Sequence, residues 1–64
     1  SMFENVEPAE DSMWSAGDRV AHPKFGPGVI VSAQKNGSDV EYVVAFETAG
    51  TRRLLQSYAK LVPA

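Results

Sequence analysis

The chain of 64 residues contains no cysteine and a single histidine, His22. Without thiols there are no disulfides and no thiolate ligands, and one imidazole would leave a zinc site to be completed by carboxylates alone. The spacing of the serines and aspartates around His22 supports no catalytic triad. We therefore expect no catalytic residue, no metal and no cofactor, and the lack of cysteine agrees with a cytoplasmic protein.

Long apolar runs and a basic excess are also absent. No segment approaches the roughly 20 apolar residues that cross a bilayer, and the acidic N-terminus differs from the basic start of a signal peptide. The formal net charge of −2 excludes a strongly basic nucleic-acid tail but leaves room for a local basic patch. We expect one small domain that acts as a monomer and does not bind a membrane.

The first residues of the chain are acidic and lack a regular apolar period. Residues 1–15 contain a proline and four acidic residues but no basic one, a composition typical of a solvated linker. We predict an acidic flexible linker over residues 1–15, in which Ser1-Met2 is a protease scar, and a folded domain over residues 16–64. The alternative is that Phe3 or Trp14 docks on the domain, and Trp14 lies closer to the first strand.

Most of the remaining chain alternates between short β-rich runs and turns that contain glycine. A turn over residues 24–28 uses Gly26 and Gly28 for backbone conformations that other residues avoid, and an Asn-Gly pair marks a second turn over residues 35–39. Residues 56–59 are too few for an α-helix, so we predict one 3₁₀ turn there. The predicted strands cover residues 17–22, 29–34, 40–46, 51–55 and 60–62, the last ended by Pro63.

Short strands without a long helix predict an all-β fold, and at this length a small closed five-stranded barrel of the SH3-like type fits. In the third strand we expect Tyr42, Val44 and Phe46 to point inward, because they form the bulkier period-2 set. Leu54 of the fourth strand is expected in the same core. Closure of the sheet would remove the strand edges that otherwise invite aggregation.

Five short motifs in a fixed order resemble one known family. The first motif, at residues 17–28, reads Gly-Asp-Arg-Val-Ala-His-Pro-Lys-Phe-Gly-Pro-Gly. The others are Val-Ile-Val-Ser at 29–32, Val-Ala-Phe at 44–46, Gly-Thr-Arg-Arg-Leu-Leu at 50–55 and Tyr-Ala-Lys-Leu at 58–61. Together they resemble the C-terminal Tudor-like domain of UvrD/PcrA-type superfamily 1 DNA helicases. The sequence departs from the family at Thr51, where an aliphatic residue is common, and at Thr48 and Ala49, where the family turn has more glycine.

The resemblance implies a protein-interaction module at the C-terminus of an ATP-dependent 3′-to-5′ DNA helicase. Such a module docks the helicase motor on RNA polymerase for transcription-coupled nucleotide-excision repair in the bacterial cytoplasm. Carried over by position, Arg52 is the first choice for a partner contact. Phe25 or Tyr58 would supply an aromatic anchor, because aromatic residues and arginine dominate interface hot spots.

Two adjacent arginines are the most informative charged pair in the chain. A strand places Arg52 and Arg53 on opposite faces, and one of them is expected at the barrel rim with Lys24 or Lys60, contacting an acidic partner segment. The alternative is solvated surface charge. A strand edge near Arg52 would also accept an extended partner segment. The expected partner-binding residues are thus Lys24, Phe25, Arg52, Arg53 and Tyr58.

Other functions stay open at the level of sequence. An auxiliary barrel that binds DNA or RNA is one, although tight phosphate binding needs clustered basic residues. A stand-alone or transcription-repair-factor barrel that binds RNA polymerase is another. A methyl-lysine reader would need several convergent rings. The rings available are those of Trp14, Phe25, Tyr42, Phe46 and Tyr58, and two of these are assigned to the core.

Overall fold

The computed structural model describes residues 11–64 and confirms an all-β, barrel-like fold. Its elements are β1 (Arg19–His22), β2 (Gly26–Asn36), β3 (Asp39–Phe46), β4 (Gly50–Leu55), α1 (Gln56–Ala59) and β5 (Val62–Pro63). All ladders are antiparallel, and the strand order is β4-β3-β2-β1-β5. Among these residues, no helix is long and apolar enough to cross a membrane.

The sheet curves around its core but does not close. Over the described residues no ladder joins β4 to β5, so both remain edge strands and the predicted closure is wrong. The sheet stays open because the chain forms α1 between β4 and β5, and because β5 has only two residues with which to pair. A bulge between Ile30 and Ser32 interrupts the long strand β2, and bulges bend a strand and increase its twist.

The core forms on one face of the curved sheet. Tyr42, Val44 and Phe46 point inward as predicted and are at most 5% exposed. They pack with three further buried aliphatic side chains, and Leu54 is half-buried against this cluster. The full set of buried residues in the cluster is Val20, Ile30, Val40, Tyr42, Val44 and Phe46.

Two of the three hairpin loops have the same length and are followed by the same type of residue. The β1–β2 and β3–β4 loops each have three residues, and each is followed by a glycine at positive φ: Gly26 at 77° and Gly50 at 77°. Glycine adopts this backbone conformation without strain. Gly28, which was predicted in the turn, lies inside β2 and pairs with Val20. A Cβ there would come within 2.8 Å of the Ala45 carbonyl oxygen and of Phe46 Cδ1, so its role is close packing of β2 on β3.

The β2–β3 hairpin also differs from the prediction. Asn36 pairs with Asp39, so the turn has only two residues, Gly37 and Ser38, and not the five predicted over residues 35–39. Gly37 has φ 61°, while Ser38 is not among the residues with positive φ. Glycine at the first turn position alone is typical of a type II′ turn.

The segment before β5 forms one turn of α-helix, and the predicted 3₁₀ turn is wrong. The Asp39 carboxylate, on the neighbouring strand, accepts hydrogen bonds from the N–H of Val40 (2.7 Å) and of Ser57 (3.4 Å) in the first turn of α1. The bond from Val40, followed by those from Ser57, lowers the pKa of Asp39 from 3.8. Ala59 is buried, and Lys60 ends the helix in the left-handed conformation at φ 53°. Pro63 is the last residue of β5 and pairs with Val20, so this strand covers residues 62–63 and not the predicted 60–62.

A segment ahead of β1 packs across the core. Trp14 contacts the hydrophobic cluster, so the docking alternative for this residue is the one observed. The buried Tyr42 hydroxyl accepts hydrogen bonds from the backbone N–H of Met13 (2.9 Å) and Trp14 (3.3 Å) and donates one to Gln56 Oε1. These contacts tie the N-terminal segment to β3 and α1. Phe3, the other docking candidate, lies outside the described residues.

Candidate functional site

Phe25 is the centre of a small aromatic cluster at one end of the sheet. It lies in the β1–β2 loop, where the glycine-containing hairpin turns the chain, and it is half-buried. Its ring lies 5.3 Å from the ring of Phe46, tilted by 55°, and stacks on His22 at 4.5 Å with 20° between the planes. Contact with the buried Phe46 anchors the loop to the core.

Two cations lie over the Phe25 ring. The guanidinium carbon of Arg52 is 4.7 Å from the ring centroid, and Lys24 Nζ is 5.9 Å from it. Both distances fall within the range in which a cation is attracted to a ring face. Arg52 Nε also donates a hydrogen bond to the Ala49 carbonyl at 3.2 Å. We call Lys24, Phe25 and Arg52 the Phe25 surface.

The register of β4 explains why Arg52 reaches this surface and Arg53 does not. Arg52 lies opposite Val44, and directly opposed residues of an antiparallel pair share a face. Val44 points into the core, so Arg52 lies on the inner face, at the free edge of the sheet. Arg53 points outward and forms an ion pair with Glu41 at 3.4 Å, which is worth little at an exposed site. The predicted separation of the two arginines is therefore observed.

The structure does not bring Tyr58 into the Phe25 surface. Tyr58 is on α1 and is 76% exposed. Within residues 11–64 it belongs to none of the aromatic pairs, which involve His22, Phe25 and Phe46. Of the five candidate partner-binding residues, three come together and two lie elsewhere.

Charge is divided unevenly along the chain. All six basic residues lie between residues 19 and 60, whereas four of the eight acidic residues precede residue 12. The sheet and helix therefore carry more positive than negative charge although the whole chain is acidic. Within the described residues no group of three or more metal-binding side chains is found. The Phe25 surface itself carries two positive charges, those of Lys24 and Arg52, which lie 5.9 and 4.7 Å from the centroid of one aromatic ring.

Two contributors to the site were not identified from sequence. His22, from which the sequence predicted neither a zinc site nor a catalytic triad, accepts hydrogen bonds at Nδ1 from the backbone N–H groups of Lys24 (3.0 Å) and Phe25 (3.2 Å). The Ala49 carbonyl orients Arg52. The signal for His22 was its position, two residues before Lys24 and three before Phe25 in a predicted turn. The role of the Ala49 carbonyl could not be predicted from a pattern of side chains, because a backbone atom accepts the hydrogen bond.

Comparison with known proteins gives the family. The PcrA/UvrD tudor domain matches residues 16–61. The chain belongs to this family. It is 36% identical over 56 residues to the ATP-dependent DNA helicase PcrA of Leuconostoc citreum, covering 88% of this chain and 8% of that protein. It is 41% identical over 51 residues to DNA helicase II of Escherichia coli strain K12, covering 80% of this chain and 7% of the relative.

The PcrA helicase of Bacillus subtilis strain 168 is similar as well, at 37% identity over 49 residues, with 75% of this chain and 7% of the relative covered. The family resemblance inferred from the sequence motifs is thus confirmed. The chain spans less than a tenth of the length of these curated relatives.

Proposed function

We propose that this chain is the C-terminal interaction module of an ATP-dependent 3′-to-5′ DNA helicase and docks it on RNA polymerase in transcription-linked DNA repair. The names of the relatives, DNA helicase II and ATP-dependent DNA helicase PcrA, support the helicase parent. The role of the chain is binding, and the catalytic motor belongs to the rest of the parent protein. Docking on RNA polymerase places the parent in the bacterial cytoplasm.

The observation that carries the docking proposal is the Arg52–Phe25 contact at 4.7 Å. A ring fixed in the core by Phe46, with a guanidinium over its face, combines the two side-chain types most enriched in interface hot spots. Arg52 is exposed, so its remaining N–H donors are available to a carboxylate in the bidentate geometry that arginine favours. Lys24 Nζ, 5.9 Å from the centroid of the same ring, adds a second positive charge to the surface.

The edge of β4 supplies the second half of the proposed contact. Over the described residues β4 pairs only with β3, so one side of Gly50–Leu55 offers backbone N–H and C=O groups to a partner. An extended segment of the polymerase with an acidic side chain would add to this edge as a further strand. Backbone pairing would give affinity, and Arg52 would give the preference for an acidic residue.

The competing functions receive less support. A methyl-lysine cage lacks two of the rings it would need, because Tyr42 and Phe46 are at most 5% exposed, and the Phe25 ring already has two cations over it. Nucleic-acid binding is the stronger alternative because the basic residues concentrate in the sheet. It would show a steep loss of affinity with salt.

The experiment that tests the proposal uses the chain immobilised through its N-terminus and purified bacterial RNA polymerase in solution. We expect binding with a Kd on the order of micromolar to tens of micromolar, typical of a small transient interface. Arg52→Ala should weaken binding by about tenfold or more. Arg53→Ala, on the outer face, is the matched control and should change the Kd by less than about twofold.

The opposing results are equally specific. No polymerase binding by the folded wild-type chain at about 100 µM would overturn the docking proposal. Sub-micromolar binding to single- or double-stranded DNA in fluorescence anisotropy, falling steeply between two salt concentrations, would favour the nucleic-acid alternative. Equal losses with Arg52→Ala and Arg53→Ala would place the contact elsewhere on the sheet.

A further inference from the structure

His22 contacts the Phe25 surface through both its ring nitrogen and its ring face. Nδ1 accepts hydrogen bonds from the backbone N–H groups of Lys24 at 3.0 Å and Phe25 at 3.2 Å, and the ring stacks on Phe25 at 4.5 Å. We propose that His22 is the positioning residue of the Phe25 surface, holding its loop in the conformation that binds the partner. This inference rests on the proposed docking function.

The loop needs such support because it is short and carries two of the three residues of the surface. Only residues 23–25 separate His22 from Gly26, its partner in the β1–β2 ladder. Pro23 has a fixed φ, and the loop residues Lys24 and Phe25 lie outside the β1–β2 ladder and donate their amides to His22 Nδ1. His22 Nδ1 is the common acceptor for both amides, so a single side chain restrains the two consecutive loop residues of the Phe25 surface.

The ring face adds a second restraint. His22 stacks on Phe25 with 20° between the planes and meets the buried Phe46 edge-on, with the centroids 6.0 Å apart and 73° between the planes. Phe25 is therefore held from the backbone side by hydrogen bonds and from the ring side by aromatic packing. Because Arg52 lies over that same Phe25 ring, a change at His22 is transmitted to the guanidinium.

The chemistry of the contact determines the form of the imidazole. A nitrogen that accepts N–H donors carries a free lone pair, so the ring that makes these bonds is neutral, with its proton on Nε2. The two roles are separable by substitution. Asparagine places Oδ1 the same number of bonds from the backbone as Nδ1 and keeps the acceptor. Phenylalanine keeps the stacking ring and removes the acceptor.

The effect on binding follows from the population of the competent loop. The apparent affinity of a site falls in proportion to the fraction of free molecules that hold the binding conformation. Loss of both hydrogen bonds in His22→Phe should weaken RNA polymerase binding by about tenfold. His22→Asn, which preserves the acceptor, should bind within about threefold of the wild-type chain.

The test combines binding with a reporter of loop structure in the free chain. The Kd for RNA polymerase is measured at a temperature at which circular dichroism shows every variant folded, with Ser38→Ala in the distant hairpin as control. Amide exchange of Lys24 and Phe25, together with the ring-current shift of the Arg52 side-chain protons, is measured by NMR. We expect fast exchange and a reduced ring-current shift in His22→Phe, and near wild-type amide exchange in His22→Asn, which keeps the acceptor.

Each outcome supports or overturns the proposal. Unchanged exchange and an unchanged Kd in His22→Phe would overturn it, as would His22→Asn binding as weakly as His22→Phe. If His22→Phe does not fold, His22→Gln replaces it, because its acceptor is displaced by one bond and should weaken binding as well. If the wild-type chain does not bind polymerase, the docking function fails, and the exchange and ring-current data still decide whether His22 positions the loop.

Discussion

The guanidinium carbon of Arg52 lies 4.7 Å from the centroid of the Phe25 ring, although the two residues are on different hairpins. The contact exists because β4 turns Arg52 to the inner face opposite Val44, while the three-residue β1–β2 loop brings Phe25 to the same end of the sheet. A charged residue of an edge strand and an aromatic residue of a loop thus form one surface.

The Arg52–Phe25 contact should be measurable as a coupling free energy. A double-mutant cycle of Phe25→Leu and Arg52→Gln is expected to give about 0.5–1 kcal/mol of coupling in the free energy of urea unfolding, the size of an exposed cation–π interaction. The same cycle with Arg53→Gln is the control and should give a coupling near zero. Equal coupling in the two cycles would show that Arg52 has no specific contact with the ring.

The Tyr42 hydroxyl is expected to stabilise the fold strongly, because this single group makes three hydrogen bonds. It is fully buried, and it holds Met13, Trp14 and Gln56 together. Tyr42→Phe leaves their polar groups without this partner and should lower the free energy of unfolding by about 1–3 kcal/mol.

The exposed Tyr58 provides the matched control for this change. Tyr58→Phe should remain within about 0.5 kcal/mol of the wild-type chain. Tyr42→Phe should also shift the fluorescence of Trp14 to longer wavelength, because the N-terminal segment loses one of its ties to the core. Equal unfolding free energies and equal emission spectra for the two variants would contradict the proposed anchoring of this segment.

Close packing of β2 on β3 makes Gly28 sensitive to the addition of one methyl group. The Cβ of Gly28→Ala would meet the Ala45 carbonyl oxygen and the Phe46 ring at 2.8 Å. We expect a loss of about 1–3 kcal/mol in the free energy of unfolding, since an overpacked site forces the backbone or the ring to shift. Thr51→Ala, on the exposed side of the same region, should cost about 0.5 kcal/mol or less. A neutral Gly28→Ala variant would show that the strands separate easily.

Asp39 should make the stability of the fold depend on acid pH. Its folded-state pKa lies below the ordinary value of 3.8, chiefly because the Val40 N–H binds the ionised form. The ionised carboxylate therefore stabilises the fold above the unfolded-state pKa, and this contribution is lost as the pH falls through the folded-state value.

Urea unfolding of Asp39→Asn across the acid range measures this contribution. The variant should be less stable than the wild-type chain at pH 5–8, and the difference should shrink as the pH falls below 3.8. Ser38→Ala in the adjacent turn is the control. It neither adds nor removes a titratable group, so the difference between its free energy of unfolding and that of the wild-type chain should not change with pH. A difference between Asp39→Asn and wild type that stays constant across the range would contradict the role of the charge.

The parts of the fold that follow from local alternation were predictable from the sequence. The inward positions of Tyr42, Val44 and Phe46 and the opposite faces of Arg52 and Arg53 depend only on the period of a strand. Parts that depend on distant partners were not predictable. One turn of α-helix forms at residues 56–59, where Asp39, on strand β3, accepts a hydrogen bond from Ser57.

The candidate site also combines features that the sequence predicts with contacts between distant residues that it does not predict. Family motifs and residue types pointed to Lys24, Phe25 and Arg52 as partner-binding candidates, but their contact depends on how two loops of equal length meet at one end of the sheet. Trp14 packs on the core, and its backbone N–H donates a hydrogen bond to the Tyr42 hydroxyl, 28 residues away in the sequence. The local sequence around Trp14 does not predict that bond. The role of His22 depends likewise on a nitrogen lone pair and on loop geometry.

The most direct test that the Phe25 surface and the edge of β4 bind RNA polymerase is an NMR cross-saturation experiment. In it, the isotope-labelled chain is mixed with unlabelled RNA polymerase. The proposal predicts that saturation transfers to the amides of Lys24 and Phe25 and along β4 from Gly50 to Arg53, while α1 and the Gly37–Ser38 turn keep their signal. Transfer concentrated on Tyr58 and α1, or transfer from added DNA and not from polymerase, would contradict it.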